Sequence, residues 1–322
     1  RPPTVARAQG TASAARKTGV GCMGEGLRRR RAAGVQPSTG LCCDHVPGKG
    51  HVAQQAVPGT ARLADPDLAD WIASSVAFPN SMVDRITPAT SAAEIALVRD
   101  EYGVADAFPV ACETFTQWVV EDNFPAGRPA LEKVGVQFVP DVVPYELMKL
   151  RILNGGHAAI AYPAGLMDIE SVDGAMNDKL IAAWLDKLET EEIIPAVPPV
   201  PDTDLQAYYK KIVERFANPT VGDTVRRLCL DGSNRQPKFI LPTVRDRVEA
   251  GLPVTGLALA SALWCRYCAG VTDSGAEIAP NDPDWDRLQQ KAKAAKTDPM
   301  AFLDMEDIFG SLAKSPAYVQ SF

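Results

Sequence analysis

The chain has 322 residues, 46% of them hydrophobic, and a formal net charge of -7. That length supports two ordinary domains with real cores, and the acid excess argues against nucleic acid as a partner because no basic face is implied overall. No stretch of about 20 apolar residues exists, since the best candidate, Val254 to Cys265, stops at Arg266, so no membrane-spanning helix is expected.

From the N-terminus, Gly19 to Gly24 read GVGCMG, a literal G-x-G-x-x-G with no strand before it, and the match is therefore read as accidental. The run Arg28 to Arg31 reads as the exposed basic end of a helix. A dinucleotide-binding sheet begins with a strand, a glycine turn and a helix; with none of these and an initial Arg, the chain is expected to lack the first mononucleotide half. Its cofactor-binding residues are accordingly not assigned. From about 38 to 140, the apolar runs LCCDHV, SVAFPN and VGVQFV alternate with helical or turn-like spacers, a pattern of strands in an α/β layer. Strand ends are where such sheets hold ligands, which places CDHVPGKG and FPNSMVDR against cofactor and substrate.

From about 141 the periodicity turns helical, in LIAAWLDKLETEEI, DLQAYYKKIVERFA, VRDRVEAG and GLALASALWCRYCAG. The stiff connection Pro195 to Asp204 ends in an Asp placed to cap the next helix. The expected fold is thus a partial Rossmann-like α/β domain, residues 1–140, followed by a mainly α-helical domain, residues 141–322. Seven Cys without regular spacing and without a secretory signal suit a reducing, cytoplasmic setting. Cys265 and Cys268 form a C-x-x-C with no second pair at zinc spacing, flanked by Trp264 and Tyr267, so packing is expected there and no metal.

The most informative stretch is Tyr145 to His157, YELMKLRILNGGH. At about 100° per residue on an α-helix, Glu146, Lys149, Asn154 and His157 share an arc of roughly 140° with Leu150, Leu153 and Ile160. Polar groups among apolar neighbours cost stability unless they serve a site. A desolvated Lys accepts a proton from a hydroxyl, an Asn amide donates to the oxygen as it becomes anionic, and a neutral His orients substrate; alcohol oxidation needs all three. Tyr145 and Lys149 also spell Y-x-x-x-K, the acid and partner of short-chain dehydrogenases. The Ser which that family needs about a dozen residues upstream is missing, since none lies between Ser91 and Ser171.

The Lys, Asn, His spacing resembles the catalytic helix of the polyol-specific long-chain dehydrogenases, the mannitol 2-dehydrogenase family. Further blocks resemble that family in order: CDHVPGKGH, FPNSMVDRITP, ETFTQWVVEDNFPAGRP, EKVGVQFVPDV and DGSNRQPKFILP. The resemblance implies reversible hydride transfer between a polyol (mannitol, arabinitol or sorbitol) and NAD, with NADP left open, giving a ketose without a metal. It implies Lys149 as general base, Asn154 as an oxyanion-stabilising amide, His157 as substrate-orienting group and Glu146 as a carboxylate tied to proton transfer. Asp84, Arg227 and Arg235 fall where the family contacts substrate, although a Lys is more usual at Arg235; the alternatives are a helix cap for Asp84 and surface salt bridges for the arginines. His45 stands where the family carries a second oxyanion Asn, and Gly48, Lys49, Gly50 replace Gly-Asn-Gly. Losing one such donor costs about 3 kcal/mol, so lowered activity is expected. Two further readings are a catalytically impaired remnant that binds sugars weakly and a keto-uronate reductase; the polyol enzyme is expected to act as a monomer.

Overall fold

The computed structural model describes residues 19–43 and 48–322 and divides into two compact units. One comprises residues up to Arg85 together with Thr114–Glu146; the other comprises Ile86–Glu113 and Leu147–Phe322. The proposed division at 140/141 does not include the excursion from 86 to 113, which folds with the helical unit.

The first unit holds helices α1 (Gly19–Ala32), α2 (Lys49–Arg62) and α3 (Pro66–Ser75) and strands β1 (Ser81–Asp84), β2 (Gln117–Glu121) and β3 (Val136–Val139). The strands form one sheet in the order β1-β2-β3, β1 antiparallel to β2 and β2 parallel to β3. Apolar faces of the three helices meet in a core of Leu27, Val57, Leu68, Ile72, Val76 and Phe78. Asp65 caps α3 by accepting from the Leu68 N–H at 2.9 Å, with Pro66 at the first helical position, where its missing N–H costs nothing. Among the three apolar runs read as strands, VGVQFV supplies β3. SVAFPN contributes only a single bridge, Ala77 to Thr39, and the ladder starts after it, at Ser81. Pro79 has no N–H to offer a ladder, which is why pairing resumes only beyond it. Of LCCDHV, residues 41–43 are not in a strand and the remainder lies outside the described residues. GVGCMG forms the first turns of α1 with no glycine at positive φ, so it is helix and not a phosphate turn.

The second unit takes in helix α4 (Ala92–Tyr102) within the 86–113 excursion. The excursion is closed at its base: the Ile86 N–H donates to Glu113 Oε1 at 2.5 Å and the Glu113 N–H to the Ile86 carbonyl at 3.2 Å. Helix α5 (Val143–Met148), within which the two units divide after Glu146, runs into a π-helical turn, Lys149–Asn154, and then α6 (Gly155–Leu166). There follow α7 (Val172–Asn177), α8 (Lys179–Leu188), a second π turn (Glu189–Ile193), α9 (Leu205–Phe216), α10 (Val225–Leu228), α11 (Gly232–Phe239), α12 (Leu241–Glu249) and α13 (Thr255–Cys268). Asp204 caps α9 as its position implies, accepting from Gln206 N at 2.9 Å and Ala207 N at 3.2 Å. Glu192 caps α13, accepting from Gly256 N at 2.7 Å and Leu257 N at 3.0 Å. Trp264, Phe302, Phe309 and Tyr318 fill the core around α13 in edge and tilted ring contacts. Cys265 and Cys268 are buried free thiols in that packing, and no cluster of three or more metal-binding side chains occurs among the described residues. No described helix is long and apolar enough to cross a membrane.

Candidate active site

The helical unit carries Lys149, Asn154, His157, Arg227 and Arg235. Lys149 and Asn154 open and close the first π turn. In an α-helix residues five apart point well away from each other, whereas the i→i+5 hydrogen bonding of a π turn stacks them nearly one above the other. The 140° arc drawn for α geometry therefore does not hold here: the wider turn brings the ammonium and the amide closer in azimuth than the sequence periodicity implies. Lys149 is buried, Asn154 half-buried. The turn is braced from outside by Arg151, whose guanidinium donates to the Ala196 carbonyl at 2.6 Å and to Asp246 at 2.5 Å.

His157 is buried in the first turns of α6, its ring stacked on Phe216 with centroids 4.0 Å apart and planes 13° from parallel. Its Nε2 has no hydrogen-bond partner. Burial pushes the imidazole well below its usual range, and the nearby guanidinium groups of Arg227, Arg235 and Arg215 add to the effect, so the ring is neutral. A cavity of about 10 Å³ beside it, room for a single water, is lined by Asp173, Arg215, Phe216 and Asp223.

Those arginines are each engaged. Arg227 forms a two-pronged pair with buried Asp223, through Nε at 2.5 Å and through Nη2. Arg235 donates from Nη1 to the Leu228 carbonyl and, at 3.4 Å, to that of Arg227, so it caps α10 instead of forming a surface salt bridge. Arg215 pairs with Glu113 through two bonds of 2.9 and 2.7 Å, both side chains buried. Sequence reasoning missed Phe216, Arg215, Asp223 and Glu113. Only Asp223 with Arg227, four apart across a helix start, left a local signal.

The sheet unit carries Asp84 and Glu146. Asp84 is buried in β1, paired in register with Gln117, and is not a helix cap. Glu146 is also buried; its carboxylate accepts from the Gly48 N–H at 3.3 Å and lies 3.9 Å from the Lys49 ammonium, itself buried. Burial pushes Glu146 up from the ordinary carboxylate range, against the pull of Gly48 and Lys49. Next to this pair, the Gly50 N–H donates to Asn80 Oδ1 at 2.7 Å, and Asn80 donates through its own N–H and side-chain amide to Glu121 at 2.8 and 3.0 Å. A Cβ at Gly50 would lie 2.4 Å from the Phe78 carbonyl, so glycine is needed there. His45 lies outside the described residues.

A concavity of about 290 Å³ at the carboxyl end of β2, lined by His51, Gln54, Ser75, Phe78, Glu121 and Asn123, sits where open sheets take nucleotides. The one glycine turn leading into a helix of this unit, Gly48 at φ 60, spends its N–H on Glu146, so among the described residues it does not cradle a pyrophosphate.

Two family models match the chain, the mannitol dehydrogenase Rossmann domain over residues 6–133 and the mannitol dehydrogenase C-terminal domain over residues 141–322. The chain belongs to the mannitol dehydrogenase family. It is 57% identical to a mannitol 2-dehydrogenase of Cereibacter sphaeroides over 95% of this chain and 64% of that protein. A Neosartorya fischeri mannitol 2-dehydrogenase is 39% identical over 93% of this chain and 60% of its own length. Among solved family members, Pseudomonas fluorescens mannitol 2-dehydrogenase in ternary complex with NAD and D-mannitol superposes with a TM-score of 0.84 at 41% identity, covering 95% of this chain and 62% of that one. A substrate-free D-sorbitol dehydrogenase gives a TM-score of 0.84 at 32% identity, covering 94% and 63%. The chain thus spans slightly less than two thirds of these family members.

Proposed function

We propose that this chain carries the polyol-handling part of an NAD-dependent dehydrogenase that interconverts a polyol and a ketose. The observation that supports this most is the π turn, which gathers buried Lys149 and half-buried Asn154 on one side just ahead of a buried, neutral His157. Lys149 Nζ takes the proton of the substrate hydroxyl, the Asn154 amide donates to the oxygen as it gains charge, and His157, held flat against Phe216, orients the polyol. Arg227, fixed by Asp223, contacts a further hydroxyl; in the sheet unit, Asp84 and Glu146 keep the substrate-contact and proton-transfer roles that the family resemblance implies. NAD, when bound, supplies the hydride acceptor, served by the sheet unit, while Lys149, Asn154, His157 and Arg227 of the helical unit handle the polyol. With Arg215 and Arg227 tied to carboxylates and Arg235 to backbone carbonyls, the site favours an uncharged polyol over a keto-uronate. The protein acts as a cytoplasmic monomer, and without nucleic acid, the last of these supported by its net charge of -7.

Lys149→Ala tests the assignment. With mannitol, arabinitol or sorbitol and NAD, the full-length protein should show oxidation that rises with pH through one ionisation; the variant should lose this activity with its fold intact, and added primary amines should restore part of it. A variant that keeps the same pH profile rules Lys149 out as the base.

A further inference from the structure

Glu189 begins the second π turn, directly after α8, and is 0% exposed. Neither carboxyl oxygen has a hydrogen-bond partner. Its Oε1 lies 3.0 Å from the point where a Cβ on Gly156 would sit, and the Phe216 ring edge and Leu185 Cδ1 approach the same point at 3.5 and 3.7 Å. The carboxyl is therefore wedged against the bare backbone of α6, one residue before His157 and beside the ring that carries the imidazole. A carboxylate at such a place would give up its hydration for nothing in return.

The charged and titratable groups on the surrounding elements are committed elsewhere. Arg151 holds Ala196 and Asp246, Arg215 holds Glu113, Glu192 caps α13, and Asp186 bonds the Tyr209 hydroxyl. Burial pushes Glu189 well above the ordinary range, and Tyr209 on α9 faces it closely enough to feel its charge.

We propose that Glu189 is a positioning residue that works as an uncharged acid: wedged behind Gly156 and against Phe216, it fixes the backbone that presents Asn154 and the tilt of the His157 ring. The functional side of this rests on the reading of His157 as the group that orients the polyol. Ionisation would send the carboxylate in search of water, which it reaches only by displacing α6 or its own turn. Because the folded state holds a proton that the unfolded chain releases above its ordinary value of 4.5, the contribution to stability is complete below that pH and declines as pH rises toward the folded value. Glu189 thereby sets an alkaline limit on the site.

The test compares the parent protein with Glu189→Gln, which keeps the shape of the uncharged acid, and with Glu189→Leu and Glu189→Met, which keep comparable bulk but replace the flat end group seated on Gly156. Infrared spectra at neutral pH should contain a protonated carboxylic acid band that Glu189→Gln lacks. The His157 imidazole resonances should shift in the Leu and Met variants and stay in place in the Gln variant. In polyol oxidation, KM should rise about tenfold in the apolar variants, the equivalent of one weakened contact between a misaligned His157 and the polyol, with kcat little changed. The Gln variant should match the parent in KM and stay active to higher pH. Absence of the acid band, or an unmoved His157 signal in both apolar variants, overturns the proposal. If the parent protein oxidises no polyol, the functional reading above fails, and the spectroscopic arms still decide the role of Glu189.

Discussion

Acidification should expose the cost of burying His157 as a neutral base. Its imidazole lies well below the ordinary value of 6.5 because burial and three guanidinium groups oppose a positive charge. In the unfolded chain the same ring takes up a proton as pH falls through 6.5, so the unfolded state binds more protons and folding stability declines on the acid side. While the folded ring stays neutral, the loss approaches about 1.4 kcal/mol for each pH unit below 6.5. For a helical unit of roughly 200 residues, at 2–4 °C per kcal/mol, that corresponds to a drop in Tm of about 3–6 °C for each such pH unit, attributable to this one side chain. Urea unfolding followed by circular dichroism across that pH range, on the parent and on His157→Gln, isolates the effect, since Gln has no proton to gain and Glu189 contributes equally to both. The chain has 3 His in all, which keeps an NMR titration of His157 readable. Parallel stability curves for the two proteins would refute the reasoning, because they would mean that the ring titrates alike folded and unfolded.

Two further outcomes follow from buried groups. Lys49→Met removes the cation beside buried Glu146 and should cost about 3 kcal/mol, the lower end for breaking a buried pair, because the Gly48 N–H remains; in urea unfolding at neutral pH, Glu146→Gln in the same background should recover most of the loss. Thiol-reagent titration of the native protein should label the exposed Cys22, Cys43 and Cys112 readily, while Cys229 and Cys265, pushed up to about 12 by burial, and Cys268 should react only after denaturant is added.

What was legible in the sequence was whatever is encoded over one or two turns. The helical periodicity from Leu180 onward, the Asp204 cap and the packing role of Cys265 and Cys268 all depend on near neighbours, and the structure has each of them. The Lys, Asn, His spacing was legible as a pattern but misread as geometry, since a π turn has no composition of its own and is set by packing, here by Arg151 reaching across to Ala196 and Asp246. β2 was hidden inside a block read only for family likeness, because Gln117–Glu121 is too short to show a period. Arg215 and Glu113 stand 102 positions apart, so no local rule connects them. Glu189 looked like one more acid in the run ETEEI; only the fold turns its side chain inward while Glu192 goes to cap a helix.

The closed excursion from Ile86 to Glu113 also bears on how the protein is made. During synthesis Glu113 leaves the ribosome 102 residues ahead of the arginine that neutralises it, a wait of roughly 5–20 s at ordinary elongation rates of about 5–20 residues per second. Throughout that interval the excursion belongs to a unit that does not yet exist, and the chain passes from one unit to the other at 85/86, 113/114 and 146/147 before the helical unit begins in earnest. An expression clone cut at the start of the C-terminal family match, residue 141, would bury Arg215 in the absence of Glu113. Supplying 86–113 in trans, or grafting it ahead of Leu147, is the way to obtain that unit by itself.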